Sequence, residues 1–346
     1  MSSTLSAVSW VESLSPWPEE FGLERMHALL RDLDEPQRAY PAIHVVGTNG
    51  KTTATRTIAA LLRSEGLRVG AYTSPHVSGW HERLDADPEI FERAIERVRP
   101  HADGATQFEV LTAAALSEFR EAGVDVAVIE AGLGGRLDAT NVLDARVVHL
   151  TNVGLDHTDV LGSTRDAIAR EKLAVVKPRA AVVLGEPEWT RLVPGVDRVQ
   201  IGGARETAEA FLGHAIEAEV DVRVPGRLEW RGPDEIWDGA HNVEGLAYQA
   251  HHLPAREWVV VASVLRDKDV DAMLELLGQR GPTLIATRSS SGRAFDEKEL
   301  ARRAEPYFDR VFSDPDPESA LEQARDLGPV LVTGSLYLLA DLARGN

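Results

Sequence analysis

Cysteine is absent from all 346 residues. That removes disulfides, thiolate chemistry and Cys-ligated zinc, and leaves carboxylates, hydroxyls and imidazoles to hold any metal. Such a donor set suits a hard ion such as magnesium. Long apolar runs are missing too: nothing approaches the roughly 18 to 20 residues a membrane helix needs. The opening stretch MSSTLSAVSWVESLSPWPEE has neither a basic start nor an unbroken apolar segment before a small-residue cleavage site, so no secretory signal is read there. The expectation is a cytoplasmic protein without membrane attachment. Positive charge is scarce as well, with 37 Lys and Arg against 55 Asp and Glu and a formal net charge of -18. A field of that sign argues against a nucleic-acid partner. If the substrates are anions, a few local cations must override it.

What remains is globular, with 43% hydrophobic and 27% charged residues, and long enough for two domains of roughly 100 to 200 residues each. Helical stretches are expected over Thr4 to Leu14 and Leu23 to Leu33. The apolar, β-branched run Ala42 to Val46 then reads as a buried strand, followed by a helix over Lys51 to Glu65. Strands at Arg68 to Tyr72, Val124 to Glu130, Val147 to Leu150 and Ala180 to Leu184 alternate with helices near Glu89 to Val98, Gln107 to Ala122, Ser163 to Val175 and Glu206 to Glu219. This βα alternation predicts a mostly parallel sheet covered by helices. A Pro-Gly pair in VPGRLE marks a break near Val220 to Arg227. Beyond it, strands at Glu235 to Trp237, Trp258 to Ser263, Thr283 to Ala286, Arg310 to Phe312 and Val330 to Thr333 alternate with four helices. The expected fold is therefore α/β in two domains: a P-loop parallel-sheet domain over 1–222 and a smaller Rossmann-like α/β domain over 223–346.

The segment Gly47-Thr48-Asn49-Gly50-Lys51-Thr52-Thr53 lies between a buried strand and a helix. There, successive backbone N–H groups and the positive helix end can surround phosphate oxygens. Gly47 and Gly50 allow a tight turn and close approach. Lys51 supplies a mobile positive charge, and a hydroxyl of Thr52 or Thr53 can ligate the magnesium that accompanies a nucleotide. The spacing is GxxGKTT rather than GxxxxGK[ST], so the strand-before, helix-after context carries the reading.

Downstream, Glu130 ends a strand and opens the glycine-rich stretch AGLGGRLDATN, which contains Asp138 and Asn141. A carboxylate at the carboxyl end of a parallel strand lies at the edge where open α/β sheets bind ligands. His157, in GLDHTDVLG, falls at the corresponding edge of a neighbouring strand, and a neutral imidazole can ligate a metal. Ser74 follows another strand, and Lys172 lies in the helix IAREKLAVVKP. Taken singly, a loop histidine or a helical lysine more often faces solvent; the ensemble is what singles these residues out.

In order along the chain, GTNGKTT, YTSPH with HERL, FEVLTAAAL, VIEAGLGGRLDATNV, GLDHTDVLG, IAREKLAVVKP, PGRLE, WDGAHN, the acidic pair of Asp267 to Asp269 and VTGSLYL resemble the Mur-ligase superfamily, and within it the dihydrofolate synthase/folylpolyglutamate synthase family. The likeness spans about Ala42 to Leu339. It implies an ATP-dependent amide ligase joining L-glutamate to the carboxylate of a pteroate or folate. By that likeness Lys51 holds the outer phosphates, Thr53 ligates a first Mg2+, and Ser74, Glu130 and His157 hold a second. Lys172 matches a lysine that the family carbamylates. Asn141, Arg227 and Asp238 match nucleotide contacts, and His241 and Asn242 match the second domain's contribution. Phe108, Arg136 and Asp138 match the pterin side. The expected partners are small molecules only, ATP, a pteroate or folate and L-glutamate, acted on by a monomer.

Amide synthesis of this kind requires ATP to phosphorylate a carboxylate first, after which the amine of glutamate attacks the acyl phosphate. Water would destroy that intermediate, a reason for two domains to close over it. The sequence departs from the family in three places. It is short between about Gly185 and Arg223, where a glycine-histidine-glutamine segment is missing; it reads GKTT where GKGS is usual; and Val243 replaces a proline after AHN. The shortening favours dihydrofolate synthase activity over polyglutamate extension. The rivals are a ligase of the superfamily acting on another carboxylic acid, a P-loop NTPase switch, and an inactive binding paralogue. The few residues ahead of the phosphate loop tell against an N-terminal domain for uridine-nucleotide precursors. A switch has no need of GAHN or of the Glu130, His157 and Lys172 set.

Overall fold

The computed structural model describes residues 5–344, so Thr4 lies outside the described residues. The chain forms two compact units. One runs to Val222 apart from Val77–Gly79; the other comprises Val77–Gly79 and the residues from Arg223 onward. Val77 groups with the second unit because its side chain is buried among Trp237, Leu336 and Leu339.

In the first unit, helices α1 (Ala7–Ser13) and α2 (Glu24–Asp32) precede β1 (Ala42–Val46) and α3 (Lys51–Ser64). Then follow β2 (Val69–Tyr72), α4 (Pro88–Val98), α5 (Gln107–Glu121), β3 (Val126–Glu130) and β4 (Val147–Leu150). The unit continues through α6 (Thr158–Leu161), α7 (Arg165–Leu173), β5 (Ala181–Leu184), β6 (Val199–Ile201) and α8 (Ala204–Leu212). The six strands make one parallel sheet in the order β2-β3-β1-β4-β5-β6. Strands β1 to β5 are buried along their whole length, as near-continuous Val, Ile, Leu and Ala runs require when helices cover both faces. Alternate side chains serve the two faces: Ile43, Val45, Val126, Val128 and Val183 pack with α3 and α8. Ala127 and Ile129 pack with α5, while Val148, Leu150 and Val182 pack with α7.

Because β1 lies between β3 and β4, the chain builds the sheet outward in opposite directions from that strand, which makes its carboxyl end a topological switch point. The parallel register aligns Val45 with Glu130, Val46 with Leu150 and Tyr72 with Ile129. Gly47, Glu130, Thr151 and Thr73 therefore leave the sheet at one edge.

The second unit pairs β7 (Glu229–Gly232) antiparallel to β8 (Glu235–Trp237) at the edge of a sheet that also holds β9 (Val259–Ala262), β10 (Thr283–Ala286), β11 (Arg310–Ser313) and β12 (Val330–Thr333). Its order is β11-β10-β9-β12-β8-β7, parallel except for β7. Helices α9 (Val243–His252), α10 (Val270–Gly278) and α11 (Glu297–Ala304) cover one face, and α12 (Pro317–Leu327) and α13 (Leu336–Arg344) the other.

The expected helix over Glu206 to Glu219 is shorter: it ends at Leu212 because Gly213 takes φ 85, a left-handed C-cap. Residues 214–224 carry no helix or strand, so no helix runs into VPGRLE. Strands β6 and β7 escape the sequence pattern because they are short and partly exposed, with no apolar alternation.

Helix α3 carries the phosphate loop's geometry into the core through Ile58, which is fully buried. Ile58→Ala removes about 2–5 kcal/mol of stability by leaving a cavity, read as a lowered urea midpoint with the far-UV spectrum of the folded protein unchanged.

A candidate active site at the carboxyl edge of the first sheet

The phosphate loop is shaped by contacts that only glycine permits. A Cβ on Gly47 would lie 1.8 Å from Thr151 Oγ1, and Gly50 takes φ 80, in the left-handed region. The segment directly after β4 holds the loop in place. Thr48 N–H donates to the Asn152 carbonyl (3.0 Å), Asn49 N–H donates to Asn152 Oδ1 (2.8 Å), and Thr151 Oγ1 donates to the Asn49 carbonyl (2.7 Å). Thr48 Oγ1 accepts from Gly154 N–H at 2.9 Å.

Two N–H groups expected to face phosphate are thus engaged by Asn152. The first intrahelical bond of α3 runs from Ala54 N–H to the Gly50 carbonyl, so the N–H groups of Lys51, Thr52 and Thr53 are the helix-end donors left for an anion. Neither Thr151 nor Asn152 stood out in the sequence. The signal was available as a Thr-Asn pair ending a strand next to the loop's own strand.

Cations and a carboxylate converge here. Lys51 Nζ donates to the Thr48 carbonyl at 3.2 Å. Lys172, buried near the end of α7, donates from Nζ to the Gly47 carbonyl at 2.8 Å. Burial, followed by repulsion from Lys51, lowers the Lys172 pKa to about 7 against partial opposition from Asp156, Asp138 and Glu171. Glu130 is 1% exposed; its Oε1 accepts from Thr52 Oγ1 (3.1 Å) and its Oε2 from Ser74 N–H (3.1 Å). Thr53 is exposed one position further along the helix. His157 caps α6 with φ 50, its own N–H donating to Asp156 Oδ1 at 2.9 Å. A non-glycine residue in that conformation is uncommon.

Magnesium fits this donor set. Among the described residues no three His, Asp or Glu side chains gather into a cage. A buried carboxylate that accepts from the Thr52 hydroxyl and the Ser74 N–H beside a phosphate loop is instead the open arrangement magnesium favours, completed by water and phosphate oxygens.

The glycine-rich turn after β3 is held from within. Asp138 is buried; Oδ2 accepts from Leu133 N–H (2.8 Å) and Oδ1 from Thr140 N–H (3.0 Å) and the Thr140 hydroxyl. Burial raises its pKa, and these hydrogen bonds oppose the rise. Asn141 Nδ2 donates to the Arg136 carbonyl (2.7 Å), and its Oδ1 accepts from Lys177 Nζ (2.9 Å). Both side chains therefore shape their own loop. Arg136 pairs with Glu171 at 3.0 Å while remaining largely exposed. Phe108 lies against Gly132, where a Cβ would come within 2.6 Å of its ring.

In the second unit Asp238 is buried and accepts from Leu228 N–H (2.8 Å), Ala240 N–H (3.1 Å) and Gln249 Nε2 (2.9 Å). Arg227 Nη1 donates to the Gly226 carbonyl at 3.0 Å. His241 Nδ1 bonds the Gly239 carbonyl at 2.8 Å, and Asn242 caps α9 by accepting from Gly245 N–H at 2.8 Å.

A phosphate loop at a sheet's switch point, with a lysine and a glutamate at the same edge and a second α/β unit following, defines a Mur-ligase type of protein. The Mur ligase middle domain matches residues 45–192. The dihydrofolate synthase/folylpolyglutamate synthase of Mycobacterium tuberculosis is 31% identical, with 90% of this chain and 84% of that protein covered. That alignment extends over 409 positions, more than the 346 residues here, so the relative carries stretches this chain lacks. The structure of the M. tuberculosis folylpolyglutamate synthase complexed with ADP and AMPPCP superposes with a TM-score of 0.87 at 29% identity, covering 98% of each chain. The bifunctional folylpolyglutamate synthase/dihydrofolate synthase of Yersinia pestis, complexed with AMPPNP and Mn ion, gives 0.84 at 28% identity, covering 99% of this chain and 98% of that one. The chain belongs to the dihydrofolate synthase/folylpolyglutamate synthase family.

The position of Lys172 makes a signed prediction. With its folded pKa lowered to about 7 from 10.5, the unfolded chain binds more protons than the folded one between those values, so this residue's destabilising contribution shrinks as pH rises from about 7. Lys172→Met removes the titration, so its stability gain over the unsubstituted protein is larger at pH 7 than at pH 9.5 in urea unfolding. A pH-independent difference would contradict the burial of the amine.

Proposed function

We propose that this protein is an ATP-dependent ligase that joins L-glutamate to the carboxylate of a dihydropteroate through an acyl phosphate. The observation that carries this reading is the gathering of the phosphate loop, Lys51, Lys172 and Glu130 at one edge of a parallel sheet. The relatives' names supply the acid and the amine. The shortened chain favours dihydropteroate over polyglutamate extension.

A carboxylate is a poor electrophile and repels the γ-phosphate it must attack. The helix-end N–H groups of Lys51, Thr52 and Thr53 together with the Lys51 ammonium hold the phosphates in place and offset the charge that develops on transfer. Glu130, Ser74, Thr53 and His157 are the residues that would hold magnesium, which supplies further charge neutralisation at the phosphates. Thr52, by donating to Glu130, orients that carboxylate. Lys172 draws the Gly47 carbonyl toward itself, and its depressed pKa keeps a large neutral fraction near pH 7, the form of a lysine able to accept CO2 as a carbamate. Phe108, Arg136 and Asp138 are assigned to the pterin side, and Asn141 to the nucleotide. In the second unit, Arg227 and Asp238 are assigned to the nucleotide, and His241 and Asn242 are that unit's assigned contribution to the reaction.

The same reading includes a monomeric, cytoplasmic enzyme that binds neither nucleic acid nor membrane. Among the described residues no helix is long and apolar enough to cross a membrane. Purified protein releases phosphate from ATP only with a dihydropteroate or folate and L-glutamate both present, followed in a coupled phosphate assay. Equal release without the acid would overturn the ligase reading in favour of a nucleotide-driven switch.

A further inference from the structure

Two buried side chains outside every role assigned above form a hydrogen-bond chain that leads to the site. His44, in the middle of β1 and 1% exposed, lies with Nε2 2.8 Å from Thr140 Oγ1, and Thr140 is fully buried. The Thr140 hydroxyl has one proton, which it donates to Asp138 Oδ1. A hydroxyl that has spent its proton can only accept, so His44 Nε2 carries the hydrogen and the neutral ring is fixed in that tautomer. Asp138 then accepts from Leu133 N–H at 2.8 Å, inside the glycine-rich turn.

The turn rests directly on the backbone that carries Lys172. A Cβ on Gly135 would fall 2.6 Å from the Lys172 carbonyl and 2.7 Å from the Glu171 carbonyl, and Arg136 N–H donates to the Glu171 carbonyl at 3.1 Å. Lys172 in turn reaches the Gly47 carbonyl at 2.8 Å. Gly47 follows the strand that holds His44, so the contacts make a closed circuit from β1 through Thr140, Asp138, the turn and α7 back to the phosphate loop.

We infer that His44 and Thr140 are positioning residues for the ligase reaction: their hydrogen-bond chain holds the glycine-rich turn in the shape that seats Lys172 against the phosphate loop. Neither touches substrate in this account; both act through Asp138 and the turn. The chain is directional, Nε2–H to Oγ, Oγ–H to carboxylate, so it fails when either proton is removed and survives when the group is replaced by one that donates and accepts alike. This inference rests on the assignment of Lys172 to the reaction.

The test uses the full-length protein and compares Thr140→Val, which keeps the shape and loses the hydroxyl, with Thr140→Ser, which keeps it. The parallel pair is His44→Phe and His44→Gln. Steady-state parameters are measured with ATP, dihydropteroate and glutamate, each normalised to the folded fraction from thermal melts. Expected are a fall in kcat of about 10- to 100-fold in Thr140→Val and His44→Phe with KM for ATP within about threefold, and retention of at least a third of kcat in Thr140→Ser and His44→Gln. The double variant His44→Phe/Thr140→Val is expected to be no worse than the poorer single one, because one broken link empties the chain. Full kcat in Thr140→Val, equal losses in Thr140→Val and Thr140→Ser, or losses that vanish on normalisation would overturn the inference. Should Thr140→Val not fold, the His44 pair decides by the same criteria. If the unsubstituted protein itself forms no amide, the failure lies with the ligase reading and not with the positioning chain.

Discussion

A lysine amine buried against a backbone carbonyl is the contact on which the arrangement of the first unit turns. Lys172 Nζ donates to the Gly47 carbonyl across 125 residues of sequence, and burying an amine there is costly unless something compensates. Compensation comes from the parallel sheet, which brings the loop after β1 beside the acidic groups of the loops after β3 and β4. Asp138 and Asp156 both favour the charged amine, while Lys51 and burial oppose it. The balance leaves the amine poised near neutrality, beside the loop whose shape it helps to hold.

The rest of the edge follows from the same crowding. Gly47 and Gly185 are glycines because Thr151 occupies the space a Cβ would need, and Thr151 with its neighbour Asn152 ties down the loop. The consequence is that the loop's early N–H groups are spent on protein, so anion binding falls to the first turn of α3. A protein of net charge -18 therefore meets a polyanion with a small, preorganised set of donors and two lysines instead of a broad basic surface.

Much of this was legible in the amino-acid sequence, for identifiable reasons. Strands β1 to β5 are apolar runs flanked by glycine and helical periodicity, and the loop's strand-then-helix setting marked it as a phosphate site. Glu130 was legible as a carboxylate ending such a run. Side-chain partnerships were not legible, because they depend on which loops meet across the sheet. Asp138, Asn141 and Asp238 stand in ligand-like motifs, and what those motifs did not disclose is that their oxygens also accept from their own loops, from Lys177 and from Gln249 of α9. His44 reads as one polar residue in a strand, and its partner Thr140 is 96 residues away. The helix over Glu206 to Glu219 was overextended because a lone glycine does not announce a left-handed cap; Gly213 does so only through its φ.

The central claim is that the carboxylate of the acid, and not an ATP-driven conformational step, receives the phosphoryl group. The most direct measurement follows oxygen: dihydropteroate carrying 18O in its carboxylate is incubated with ATP, L-glutamate and the enzyme, and the released phosphate is analysed by mass. Phosphorylation of the acid transfers one labelled oxygen to each phosphate as the amine displaces it, so phosphate heavier by one 18O, in step with amide formed, is the predicted result. Unlabelled phosphate accompanying amide formation would contradict the account.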